Sequence, residues 1–240
     1  MLLFYIRHGQ PIYDPDSLTP LGRRQAESVA HRLCQFGIDR VFASTSNRAI
    51  ETSRPTCEML RKEGPEALFP WVDEGNVWRD MHVVGADGRH HWCYVDPSVR
   101  KALVSEEVRE LGPRWYGHPA FAAWPFEHGV KTMREHAFAW LASLGYAHDD
   151  EGHFYRAEKP SDERIALFAH EGAGMLFLST ILDIPYPMFS THFTMAHTGM
   201  TVVEFRETDG FVVPHVLQLS NDSHLYRDGL PTHYQDRLRF

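Results

Sequence analysis

Apolar residues along the chain fall into two kinds of run: short uninterrupted stretches, and longer ones with helical spacing. Leu2 to Ile6 is apolar without alternation and stops at charged and glycine residues, as a strand covered on both faces does. After a polar loop, Thr19 stands ahead of Pro20 as a cap ahead of a first helical residue. Leu21, Val29, Leu33 and Phe36 then mark one helical face, which Gly37 ends. Val41 to Ala43 predicts a second strand. Arg48 to about Leu60 predicts a second helix, with a kink or break at Pro55, and Ala67 to Val72 a third strand. From Gly75 to about Gly129 no period holds for long, and Trp78, Trp92, Trp115, Trp124 and several histidines dominate. Helical spacing resumes at Val130, Met133, Ala137, Trp140, Leu141 and Leu144 and leads to a turn at Gly145. Arg164 to Ala169 reads as another buried strand, followed by a glycine-containing turn and an apolar helix from Met175 to Leu182. Thr201 to Phe205 and Phe211 to Leu217 read as strands joined across Asp209 and Gly210 as a hairpin.

Strands alternating with helices predict a three-layer α/β/α sandwich around a mostly parallel central sheet. The aromatic stretch, at about 75–130, reads as a cap insertion. No internal repeat or low-complexity linker divides the chain, so residues 1–240 read as a single domain. In such sheets ligands bind at the carboxyl ends of the strands. Three places therefore stand out: Arg7-His8-Gly9, Ser44 to Arg48, and His170-Glu171-Gly172.

Composition narrows the class of function. The 240 residues are 43% apolar and 23% charged, with a formal net charge of -8; fibrous, disordered and disulfide-scaffold proteins look different. The acidic balance argues against nucleic acid or an anionic membrane as partner, while leaving room for a locally basic anion site. Cys34, Cys57 and Cys93 are odd in number and lack metal-ligand or paired spacing, which suits a reducing compartment. No run approaches the length of a membrane span, and the opening Met-Leu-Leu-Phe-Tyr-Ile lacks a positive flank and a small-residue cleavage site. The expectation is a cytoplasmic protein.

Each of the three strand ends carries residues suited to a phosphoryl group. Arginine matches phosphate oxygens bidentately and a neutral imidazole is a nucleophile, which fits Arg7 and His8 beside the permissive Gly9. Ser44 to Arg48 offers hydroxyls and an arginine at a helix N-terminus, where free amides favour an anion. His170 follows an apolar strand. Together the two histidines and two arginines are expected to face one volume, with arginine charge taking the part that magnesium plays elsewhere.

Arg7-His8-Gly9-Gln10, Leu18-Thr19-Pro20-Leu21-Gly22 with Gln25-Ala26, Ser46-Asn47-Arg48-Ala49 with Glu51-Thr52, and Ala169-His170-Glu171-Gly172 resemble the motifs of the histidine phosphatase, or phosphoglycerate mutase-like, superfamily in its branch 1 form. Leu219 to Asp222 with His224-Leu225 resembles its C-terminal segment. The resemblance implies an in-line attack by His8 on phosphorus to give a phosphohistidine, with Arg7, Arg48 and His170 on the equatorial oxygens and Gln10 and Glu171 among the phosphate-binding residues. It implies no metal and no organic cofactor. It also calls for a carboxylic acid after the third strand, where Glu74 aligns best and Asp73 is the alternative. The implied reaction is hydrolysis of a small or medium phosphomonoester by a histidine acid phosphatase-type phosphomonoesterase. A phosphomutase, or a non-catalytic phospholigand-binding member, is the alternative.

Two departures from the family pattern bear on substrate. Pro11-Ile12-Tyr13-Asp14 replaces the usual threonine and asparagine, and the acid there makes the mouth of the site less welcoming to a second phosphate. The glycine pair that often follows the second histidine is here Glu171-Gly172-Ala173-Gly174. Both weaken a phosphoglycerate mutase assignment. His82, His90 and His91 lack a metal-binding frame. Trp78, Trp92 and Trp115 are expected to build the small core of the cap, although stacking on a nucleotide or sugar is the other use of such rings. Monomer and homodimer both remain open.

Overall fold

The fold is described from a computed structural model, for residues 1–66, 69 and 78–232. In chain order, β1 (Leu2–Arg7) leads to a hairpin of β2 (Pro11–Tyr13) and β3 (Asp16–Leu18), then α1 (Pro20–Phe36), β4 (Arg40–Ala43) and α2 (Asn47–Met59). Next come α3 (Arg79–Met81), a hairpin of β5 (His82–Val84) and β6 (His90–Trp92), α4 (Pro97–Leu103), α5 (Glu106–Glu110) and two 3-10 turns at Gly112–Gly117 and Pro119–Phe121. The long α6 (Phe126–Ser143) precedes a hairpin of β7 (Tyr146–Asp149) and β8 (Phe154–Ala157), then β9 (Arg164–Ala169), α7 (Glu171–Ile181) and α8 (Tyr186–Ser190). The final elements are β10 (Met200–Glu204), β11 (Phe211–Val212), β12 (His215–Asn221) and α9 (Ser223–Arg227).

The central sheet has five strands in the order β12-β10-β1-β9-β4. β1 is parallel to β9, and β9 to β4, while β10 is antiparallel to both of its neighbours. Four strands thus share one direction and β10 opposes them. Period-two alternation sends successive side chains to opposite faces. Leu3, Tyr5, Phe42, Ile165 and Leu167 join α6 and α7 in one buried cluster; Phe4, Ile6, Val41, Ala166 and Phe168 join Val29 and Leu33 of α1 in the other. These are the two interfaces of an α/β/α sandwich, one on each face of the sheet, and each fully buried Leu, Ile or Phe contributes about 1.5–3 kcal/mol.

α1 begins and ends as its sequence predicts. The Thr19 side chain accepts a hydrogen bond from the Gly22 amide at 3.0 Å, and Gly37 closes the helix in the left-handed region at φ 67°. α2 runs through Pro55 without a break. The expected strand at 67–72 falls largely outside the described residues; Phe69 lies outside any strand, and its amide donates to the Ala43 carbonyl at 2.9 Å.

Two expectations are corrected. The apolar helix starts at Glu171 with no intervening turn, because Gly172 and Gly174 are helical residues whose missing Cβ makes room for other rings. A Cβ on Gly172 would lie 2.0 Å from Trp92, and one on Gly174 2.6 Å from Tyr5. The second correction concerns Phe211 to Leu217, which is two strands. The Asp209-Gly210 turn closes a single bridge between Thr208 and Phe211; β11 then pairs with β8, and β12 pairs with β10. Pro214, which has no amide hydrogen to give a ladder, stands between them.

Candidate active site

Strand register brings the expected residues to one end of the sheet. Arg7 pairs with Ala169 and Ala43 with Phe168, so β1, β4 and β9 finish level. The next amides continue the ladder: His8 donates to the Ala169 carbonyl at 2.8 Å and Ser44 to the Phe168 carbonyl at 2.9 Å. Because β10 runs the other way, it begins where the others end. The Thr198 amide accordingly donates to the carbonyl of Arg7 at 3.0 Å.

His8 is buried, and its Nδ1 lies 2.7 Å from the Gly9 carbonyl oxygen. A carbonyl only accepts, so Nδ1 carries the proton and Nε2 keeps its lone pair. The loop is held tightly. The Gly9 amide donates to Thr52 Oγ1 at 3.0 Å, and a Cβ on Gly9 would lie 2.6 Å from the Gly22 carbonyl oxygen. The His170 ring stands 5.3 Å from that of His8, centroid to centroid. Its Nε2 lies 2.7 Å from Ser44 Oγ and its Nδ1 3.3 Å from Arg48 Nη2. Since the guanidinium only donates, Nδ1 accepts and Nε2 donates to the serine. Both rings are held neutral. Burial lowers the pKa of His8 well below the ordinary 6.5, followed by the influence of His170 and Arg7; burial also lowers that of His170, reinforced by Arg48 and Arg7.

The two arginines are placed differently. Arg7 forms an ion pair with Glu171 at 2.8 Å and donates to the Met195 carbonyl. Its Nε is buried without a hydrogen-bond partner, which leaves donor capacity in reserve. Arg48 is 4% exposed and reaches the site through His170. It is not among the residues lining the cavity, so the expectation that both arginines face the same volume holds for Arg7 alone.

That cavity has a volume of 310 Å3 and contains His8, His170, Arg7 and Glu171 in its wall. Glu171 is buried; besides Arg7 it accepts from Thr194 Oγ1 at 2.6 Å and from the Met195 amide at 3.2 Å. Gln10 is elsewhere. Its carboxamide oxygen accepts from Thr19 Oγ1 at 2.8 Å, at the start of α1, and the residue does not line the cavity. Glu74 and Asp73 lie outside the described residues. Trp115 is buried among Phe121, Phe126 and Tyr186 as cap-core packing predicts, whereas Trp78 and Trp92 line the cavity. Among the described residues no grouping of His, Cys, Asp and Glu is arranged to hold a metal ion.

Sequence reasoning missed three neighbours of the site. Asp16 accepts from Arg48 Nη1 at 2.8 Å through one oxygen and from the Asn47 amide at 2.8 Å through the other. It is this acid of the β2–β3 hairpin, and not the exposed Asp14, that meets an arginine of the site. Tyr13 lines the cavity with its ring 5.4 Å from the Arg48 guanidinium. The His197 ring is 5.9 Å from that of His8. His197 had a usable signal: it stands just before an apolar strand, and an antiparallel strand starts at the end where parallel strands finish.

Residues 3–68 match the family model of the histidine phosphatase superfamily (branch 1). Over 127 residues the chain is 33% identical to the serine/threonine-protein phosphatase Pgam5, mitochondrial, of Drosophila sechellia, a match that covers 50% of this chain and 41% of the relative. Two solved structures share the fold. A phosphoserine phosphatase mutant from Entamoeba histolytica in complex with phosphoserine superposes with a TM-score of 0.60 at 17% identity, over 93% of this chain and 98% of the other. A mycobacterial glucosyl-3-phosphoglycerate phosphatase gives 0.59 at 17% identity, over 91% and 98%. The family's sequence pattern thus matches from the first strand through the second helix, over residues 3–68, and the fold of these solved structures extends over nine-tenths of the chain.

Proposed function

We infer that the chain is a phosphomonoesterase of the histidine acid phosphatase type, acting on a small or medium phosphomonoester without metal or organic cofactor. The observation that carries this reading is the bond between His8 Nδ1 and the Gly9 carbonyl, 2.7 Å long, which aims a neutral imidazole's free Nε2 as a nucleophile. Nε2 attacks phosphorus in line, the N–P bond forms and the ester P–O bond breaks. The leaving oxygen takes a proton from a carboxylic acid, which we assign to Glu74, with Asp73 as the alternative. Water then attacks the phosphohistidine and gives its proton back to that carboxylate; the N–P bond breaks, releasing phosphate and restoring His8. Arg7, from the cavity wall, and Arg48, from behind His170, supply the positive charge that the transferring oxygens require.

The names of the relatives support a phosphatase, since the Drosophila protein and both structural neighbours are so called. A phosphomutase is less well supported. Among the described residues lining the cavity Arg7 is the sole arginine or lysine, so a second anionic group on the substrate finds no cation of its own. We read residues 75–130 as a cap over this site, a reading supported by the cavity positions of Trp78, His90, Trp92 and Tyr94.

The deciding test is phosphate release from p-nitrophenyl phosphate in the presence of a chelator, with the wild type beside His8→Ala. Chelator-resistant turnover that disappears in the variant is expected. Turnover that survives the substitution removes His8 as the nucleophile and ends this mechanism.

A further inference from the structure

Once the phosphoryl group is assigned to His8, His170 and Arg7, the rest of the cavity wall must meet the leaving group. That remainder is strongly biased in composition: Tyr13, Trp78, His90, Trp92 and Tyr94 all line it. The carboxylate there, on Glu171, is already engaged by Arg7, Thr194 and the Met195 amide. Neither a second acid on the substrate nor a free ammonium therefore meets an unengaged partner of opposite charge among these residues. A flat apolar ring does, because ring faces and edges attract one another in offset or edge-on arrangements.

Trp92 is the most firmly placed of these rings. A Cβ on Gly172 would lie 2.0 to 2.4 Å from Cε2, Cδ2 and Nε1 of its indole. The ring thus rests on backbone in the first turn of α7, two residues beyond His170, and its position relative to the phosphoryl-binding histidine is set by that helix. Trp78 meets Trp92 edge-on at 5.3 Å and 63°, and is itself stacked on His82 at 5.1 Å and 22°. The wall is therefore supported from behind, an organised surface in place of a loose set of side chains.

We propose that this site selects phosphomonoesters of aromatic alcohols, with Trp92 as the residue that recognises the ring of the leaving group. The proposal rests on the phosphomonoesterase reading for the location of the phosphoryl group. It is tested without turnover, by calorimetric titration of the whole chain with benzylphosphonate and with cyclohexylmethylphosphonate. These two non-hydrolysable ligands share the same anion and ring size and differ in aromaticity.

Benzylphosphonate is expected to bind about three- to tenfold more tightly, the usual increment of an aromatic contact beyond area burial. Trp92→Phe should keep the preference and Trp92→Leu should abolish it, with both variants retaining the wild-type thermal transition within a few degrees. Should Trp92→Leu fail to fold, the wild-type ratio together with Trp92→Phe still decides the matter. Equal affinities, or tighter binding of the saturated ring, overturn the aromatic preference and leave phosphate release from other esters untouched. A preference that persists in Trp92→Leu removes Trp92 as its source. Failure of both phosphonates to bind overturns the proposal and the anion site beneath it together, whereas loss of turnover in the p-nitrophenyl phosphate assay alone leaves this binding result standing.

Discussion

Asp16 and Arg48 are joined by a 2.8 Å ion pair in which the arginine is nearly fully buried, while the second oxygen of the same carboxylate holds the first amide of α2. One side chain therefore fixes both the guanidinium and the helix that carries it. Asp16→Asn is expected to lower kcat/KM by about tenfold, in keeping with about 1.5 kcal/mol for a charge-assisted hydrogen bond, and to leave the fold intact. Steady-state kinetics with p-nitrophenyl phosphate check this. An unchanged kcat/KM would show that Arg48 keeps its place without Asp16.

Arg48 and Cys57 lie on the same helix and are both buried, yet only the first reaches His170. Arg48→Ala should cost on the order of a hundredfold in turnover, as does loss of a donor that stabilises transition-state charge. Cys57→Ala should leave turnover nearly unchanged. Similar losses in the two variants would count against the assigned site.

Three buried histidines make stability depend on pH. His8 and His170 have pKa values well below 6.5, and burial brings His224 down to about 4. In the unfolded chain each titrates near 6.5 and so binds protons more readily than the folded protein does. The stability these neutral rings allow is complete above 6.5 and is lost as pH falls below it, by about 1.4 kcal/mol per pH unit for each ring until its folded pKa is reached. Urea midpoints measured between pH 7.5 and 5 should fall steadily, and His224→Asn should flatten the slope. A midpoint independent of pH over that range would be inconsistent with neutral burial.

Close backbone approach between Gly22 and the Gly9–Gln10 segment supports the loop after His8. A Cβ on Gly22 would lie 2.2 Å from the Gln10 carbonyl oxygen, which belongs to a backbone that cannot swing aside, whereas one on Gly64 meets nothing within 4 Å. Gly22→Ala should destabilise the protein by about 1–3 kcal/mol and depress turnover by displacing Gly9 and Gln10. Gly64→Ala should do neither. Thermal melts and initial rates on both variants separate the two effects.

Much of the fold and site could be read from sequence where the signal is local. The β1, β4 and β9 strands are apolar runs, α1 carries both of its caps, and the ends of those strands mark His8, Ser44 and His170. What failed was what depends on contacts remote in sequence. Gly172 and Gly174 looked like a turn because the rings of Trp92 and Tyr5 that demand glycine there are set by other elements. Phe211 and Val212 looked like partners of β10 because nothing local shows that β8 is nearer. Asp16 belongs to a three-residue strand with no periodicity, and its role exists only through Arg48. The likeness among tryptophans concealed a division of labour that burial reveals: Trp115 is enclosed, and Trp92 faces the cavity.

The central place of β1 has a consequence for how the chain acquires its shape. Both strands that flank it, β9 and β10, are made more than 150 residues later, so the segment from Leu3 to Ile6, which α1 can cover on one face only, leaves the ribosome long before its strand partners exist. At the usual rate of synthesis the wait is on the order of ten seconds or more. Such distant pairings also slow the search for the native arrangement. The strand that leads into His8 is therefore the one most exposed to mispairing during synthesis, and holding factors that bind short apolar strands should engage nascent chains that have not yet reached Arg164.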